Sequence, residues 1–118
     1  MPQTIRAIVV DPSTEGRLAI RPVDLRDPDR DEVVVKVTAI SLNRGETRRA
    51  VQTAEPGWRP GWDFAGIVEA EAADGSGPKA GTRVVGILPS GAWAERVNCR
   101  SHAVAALPEA VSDAQAAT

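Results

Sequence analysis

A chain of 118 residues with 42% hydrophobic side chains is long enough for one domain and apolar enough to build a core. Its net charge of −2 excludes the basic surplus that nucleic-acid binding needs, and no apolar run nears the roughly 20 residues of a membrane span. A single cysteine, Cys99, excludes an internal disulfide, and the stretch Met1 to Arg6 lacks the basic-then-apolar order of a secretory signal, so a soluble, cytoplasmic protein is expected.

Thr4 to Val10 is a β-branched, apolar run ended by the turn cluster Asp11-Pro12-Ser13. Arg17 to Arg21 alternates, with Leu18 and Ile20 on one face, and predicts a half-buried strand that meets the first as a hairpin. Asp24 to Glu32 is highly charged, broken by Pro28, and reads as a solvated connector. Glu32 to Ile40 is the strongest strand: Val33, Val35, Val37 and Ala39 share one face, and Val34, Lys36, Thr38 and Ile40 the other.

The pattern then changes. Asn43-Arg44-Gly45-Glu46 has an N-cap residue followed three positions later by Glu, the capping-box order, and predicts a short helix to about Val51. Pro56-Gly57 and Pro60-Gly61 mark a loop. Strands are expected over Asp63 to Ala73, Thr82 to Leu88, Ala92 to Asn98 and Ala103 to Leu107, and a helix from Asp113 to Thr118. Gly75-Ser76-Gly77 precedes Pro78 and opens no helix, so it is a turn and not a phosphate cradle. Many short strands, frequent turn signals and a short helix predict a mainly β domain, a barrel or sandwich.

Metal ligands are scarce. Zinc wants three or four Cys, His or carboxylate ligands. Here Cys99 and His102 stand alone of their kinds, and the plain reading is a half-buried thiol and a surface imidazole.

Several segments carry a resemblance when taken in order. They are Val37 to Asn43, Pro60-Gly61-Trp62-Asp63-Phe64-Ala65-Gly66, Gly81-Thr82-Arg83-Val84-Val85-Gly86, Gly91-Ala92-Trp93-Ala94-Glu95, and Leu107-Pro108 leading through Val111-Ser112 to Gln115-Ala116-Ala117. Together they resemble the N-terminal, GroES-like domain of the medium-chain dehydrogenase/reductase superfamily, over nearly the whole chain. The resemblance implies a GroES-like, partly open β-barrel occupying residues 1–118. Zinc-dependent relatives place a Cys where Asn43 stands and a His where Trp62 stands; neither replacement offers zinc a suitable ligand. The chain therefore resembles the zinc-independent, quinone-oxidoreductase-like branch.

That branch implies hydride transfer from NADPH to a quinone or to an α,β-unsaturated carbonyl. Such a reduction needs positioning, a donor to the developing oxyanion and a proton source, and no metal. The cofactor would be held mainly by a Rossmann domain, which such enzymes begin at about Thr118. The chain on its own is expected to be inactive, and the resemblance allows a homodimer formed mainly through that second domain.

Candidate site residues each carry a bland alternative. Asn43 is a catalytic and cofactor-side candidate whose amide can donate to a carbonyl oxygen; it also suits helix capping alone. Glu46 is a catalytic candidate with a reciprocal capping role. Arg44 is a candidate substrate contact or a solvated cation. Trp58 and Trp62 would form an apolar substrate wall, or Trp62 simply fills the place of the metal. Asp63 would contact substrate or support the loop by hydrogen bonds. Trp93 reads as core or interface packing. A second class is a GroES-like interaction module with no enzymatic activity, which would assemble into rings.

Overall fold

The computed structural model describes residues 3–118. Met1 and Pro2, part of the stretch read above for a signal, lie outside the described residues. Among the described residues seven strands and two α-helices follow one another, besides two single-turn 3-10 helices: β1 (Gln3–Val10), β2 (Leu18–Leu25), β3 (Glu32–Ile40), α1 (Arg44–Gln52), β4 (Asp63–Ala70), β5 (Arg83–Ile87), β6 (Arg96–Arg100), β7 (Val104–Ala106) and α2 (Asp113–Ala117). β1 and β2 form a hairpin sheet; the other strands form a five-stranded antiparallel sheet in the order β6-β3-β4-β5-β7. The architecture is the mainly β, curled half-barrel of the GroES-like fold.

The sheets close on each other through the segment Ala92 to Glu95. The Ile8 N–H donates to the Trp93 carbonyl at 2.9 Å, the Glu95 N–H to the Arg6 carbonyl at 3.0 Å, and the Val37 N–H to the Glu95 carbonyl at 2.9 Å. This segment serves two strands from different sheets and so makes no regular ladder. The strand expected from Ala92 begins only at Arg96.

The β3 pattern holds. Val33 and Val35 are fully buried and pack with Phe64, Val68, Val84, Val97 and Cys99 into the main core. A smaller cluster of Val10, Ala50 and Ala54 lies under α1, with Leu18 and Trp58 against it. Two glycines of the Pro60–Gly66 segment are required by packing. Gly61 has φ of 105°, and a Cβ there would lie 2.5 Å from the Trp93 ring. A Cβ at Gly66 would lie 2.2 Å from the Lys36 carbonyl oxygen of the neighbouring strand β3.

Three further expectations are corrected. β2 does not stop at Arg21; it runs to Leu25 and pairs with β1 along its whole length, from Val10↔Leu18 to Gln3↔Leu25. Pro22 is tolerated because β2 has a free outer edge in a two-stranded sheet. Ile20, expected inward, is 62% exposed and lines a shallow apolar groove beside Ile8 and Ile40. The charged connector is also pinned and not merely solvated. Arg26 grips Glu32 with two hydrogen bonds of 2.7 and 2.8 Å, Arg100 pairs with Asp29 and Asp31, and the Ser101 N–H reaches the Asp31 carbonyl.

Candidate active site

Where β3 ends, the chain turns through Ser41-Leu42 into the cap of α1. This exit is fixed by a residue distant in sequence: Trp93, 4% exposed, donates its indole N–H to the Ser41 carbonyl at 3.0 Å. A buried indole N–H needs an acceptor, and a buried carbonyl needs a donor. Leu42 between them is 72% exposed. Asn43 follows, half-buried, with extended backbone geometry as the N-cap of α1.

The Asn43 side chain points at β4. Its Nδ2 donates to Asp63 Oδ2 at 2.7 Å and to Ser41 Oγ at 3.2 Å, while Ser41 Oγ donates to the same Asp63 oxygen at 3.2 Å. Both amide hydrogens are therefore engaged, the bond to Ser41 being the longer. Asp63, the first residue of β4, is the shared acceptor that orients the other two.

Glu46 is fully buried, yet neither carboxylate oxygen is idle. Oε1 accepts the Asn43 N–H at 2.8 Å, closing the tight half of the capping box; Oε2 accepts the Trp62 N–H at 2.9 Å. The reciprocal contact, from the Glu46 N–H to the Asn43 side chain, is the looser half and falls short of a full hydrogen bond. Charge-assisted bonds to backbone N–H groups compensate the cost of burying a carboxylate. Glu46 thus ties the start of α1 to the Pro60–Gly66 segment.

Trp62 is half-buried and lies over Gly45: a Cβ at Gly45 would sit 3.3 Å from the indole ring. The Leu88 N–H donates to the Trp62 carbonyl at 2.8 Å, which anchors the loop to the end of β5. Arg44 is exposed, with no ion pair or hydrogen bond to its side chain among the described residues. Asn43, Glu46, Trp62 and Asp63 thus come together, joined by Ser41. Trp58 goes elsewhere. It packs on Val10, Ala50 and Ala54, under the Arg49 guanidinium, which lies 4.4 Å from its ring centre.

The bonds of Ser41 and Trp93 to this cluster escaped the sequence. No local pattern marks Ser41, but a buried Trp always raises the question of where its N–H goes. Cys99 is completely buried and not half-buried; burial, reinforced by the Glu32 charge, pushes its thiol up to about 11. Its complete burial keeps it from any substrate. His102 is exposed. Among the described residues no three His, Cys, Asp or Glu side chains converge as a metal site would require.

Residues 29–109 match the family of the alcohol dehydrogenase GroES-like domain. The chain belongs to that family. It is similar to a mycocerosic acid synthase-like polyketide synthase of Mycobacterium tuberculosis, 39% identical over 98% of this chain and 6% of the relative. It is also similar to the trans-enoyl reductase milB of Cordyceps militaris, 31% identical over 100% of this chain and 36% of the relative. The quinone oxidoreductase of Escherichia coli, solved in complex with NADPH, superimposes with a TM-score of 0.83 at 28% identity, over 95% of this chain and 36% of that one. The chain thus spans about a third or less of the length of these proteins.

Proposed function

We propose that this chain is the substrate-side, catalytic domain of a zinc-independent, NADPH-dependent oxidoreductase that reduces quinones or α,β-unsaturated carbonyls. The observation that carries the reading is the Asn43–Asp63–Ser41 cluster beside Trp62, at the mouth of α1. It presents an oriented amide where relatives described as enoyl reductases and quinone oxidoreductases share the fold. Donor chemistry supports the absence of zinc, since an indole and an amide stand at the ligand positions.

NADPH, when bound, would supply the hydride. The described residues fit one wall of its site and no more. Asn43, Trp62 and Arg44 are the groups able to face a nicotinamide or a substrate carbonyl, and no glycine-rich turn here opens a helix that could grip the phosphates. A Rossmann domain elsewhere in the full-length protein supplies that grip, and the 118-residue chain alone is inactive. Asn43 stabilises the oxygen that gains charge. Asp63 and Ser41 orient Asn43, and Glu46 is a positioning residue that holds the cap and the Trp62 loop together.

The test is NADPH oxidation by the full-length protein with an enone or a quinone. Asn43→Ser keeps an N-cap oxygen but removes the amide donor, so turnover should fall by about 10²-fold while stability changes by less than about 1 kcal/mol. Unchanged turnover would leave Asn43 a helix cap alone.

A further inference from the structure

β3 and β4 do not pair in one register. Val37 faces Gly66, but Ala39 faces Ala65 and Ile40 faces Phe64, so Thr38 is the extra residue of a β-bulge. The slip decides which side chains meet in the cluster described above. Carried on unbroken, the register of Val37 with Gly66 would set Ile40 opposite Asp63 and Ser41 opposite Trp62. With the bulge, Ile40 lies opposite Phe64, and the next pair, Ser41 and Asp63, meets through the Ser41 hydroxyl at 3.2 Å. Asn43, two residues on, reaches the same carboxylate oxygen at 2.7 Å. One extra residue in β3 therefore brings the cluster into register.

A bulge leaves its extra residue outside the ladder, so something else must hold it. Thr38 is exposed, and core packing does not hold its side chain. Its hydroxyl has one hydrogen and two acceptors in reach, Asp113 Oδ2 at 2.6 Å and the Ala65 carbonyl at 3.3 Å. The shorter, charge-assisted bond to Asp113 takes it. Asp113 opens α2, and its other oxygen is gripped by Arg83, the first residue of β5, through Nη2 at 2.6 Å and Nε at 3.2 Å. Arg83 Nη2 also donates to the Val111 carbonyl at 2.7 Å. Arg83 and Asp113 are 34% and 28% exposed, and the grip is two-pronged, the geometry in which a surface ion pair holds firmly. Ser112 and Gln115 cap α2 reciprocally, at 3.1 and 2.9 Å, so the Asp113 carboxylate is not what caps the helix.

We propose that Asp113 is a positioning residue for Asn43. Held by Arg83, it locks the Thr38 bulge, and the locked bulge keeps Ser41 opposite Asp63 and the Asn43 amide in its orientation. The role rests on the reading of Asn43 as the donor to the substrate oxygen, but the orientation of the amide can be measured without turnover.

The variants are Asp113→Ala, Thr38→Val and Thr38→Ser in the full-length protein, with two readouts. One is NADPH-dependent reduction of cyclohexenone. The other is the NMR side-chain amide signals of isotope-labelled asparagine, the Asn43 pair being identified by its loss in Asn43→Ser. Asp113→Ala and Thr38→Val should each move the Asn43 signals and lower kcat at least about tenfold, with KM near that of the parent. Thr38→Ser keeps the hydroxyl and should match the parent in both readouts. The double variant Asp113→Ala/Thr38→Val should lose no more than the worse single one, because both break the same link. The two single variants are independent, so either carries the test if the other does not fold. The proposal is overturned if the Asn43 signals stay in place, if they move while kcat of an active enzyme does not fall, or if the losses multiply in the double variant. A parent that reduces neither cyclohexenone nor a quinone defeats the redox reading instead, and the amide signals then decide alone whether Asp113 orients Asn43.

Discussion

Trp93 sets the position of a residue it does not bond. Its indole N–H holds the Ser41 carbonyl, Ser41 Oγ meets both Asn43 and Asp63, and the amide of Asn43 is aimed by that pair. Trp93→Phe keeps the ring and removes the donor, leaving a buried carbonyl unpaired. Stability should fall by about 1–3 kcal/mol, and kcat should drop while KM for the enone stays near its starting value. Equal stability loss with unchanged kcat would make Trp93 core packing only. The members of this cluster were unequally legible. Asn43 and Glu46 sit within one turn, so their spacing announces the capping box. The second bond of Glu46, to the Trp62 N–H, spans sixteen positions and has no local signature. The links from Ser41 to Asp63 and from Trp93 to Ser41 are longer still, and only the closed sheet makes them.

Among the elements, β3 was readable because its alternating β-branched residues match the pleat and its buried face is apolar. The second half of β2 was not. Pro22 and Asp24 are poor strand residues, and only pairing with β1 makes Arg21 to Leu25 extended. Gly66 looked like one letter of a motif; its physical reason is the Lys36 carbonyl, which leaves no room for a side chain. Gly66→Ala should therefore destabilise by at least about 2 kcal/mol, because backbone must shift. Urea denaturation measures it, and a loss under half that size would contradict the close approach of β4 to the Lys36 carbonyl. The β2–β3 connector makes a separate prediction. Bonding to Arg26, opposed by burial and aided by the Asp29 N–H, holds Glu32 below its ordinary carboxylate value of 4.5. Its contribution to stability is thus present above that value and is lost as pH falls through the lower, folded one. Glu32→Gln should be less stable than the parent at pH 7, and the gap should narrow as pH falls below 4.5 and close once the parent's folded-state carboxylate protonates. A gap that persists undiminished in acid would show that the loop does not depend on this charge.

At the scale of the molecule, the curled sheet was visible in the sequence as recurring short strands and turns, but its closure was not. Closure runs through Ala92 to Glu95, whose bonds go to β1 and β3 at once. The result is a wall that displays half-buried Asn43 and Trp62, with Asp63 bonded to Asn43 and Glu46 buried behind them. In our account that wall works with an organic hydride donor and no metal. The most direct measurement is NADPH-dependent reduction of an enone by the full-length protein before and after exhaustive chelation of tag-free material. The account predicts equal turnover in both samples. Activity that disappears on chelation and returns with stoichiometric zinc would contradict it.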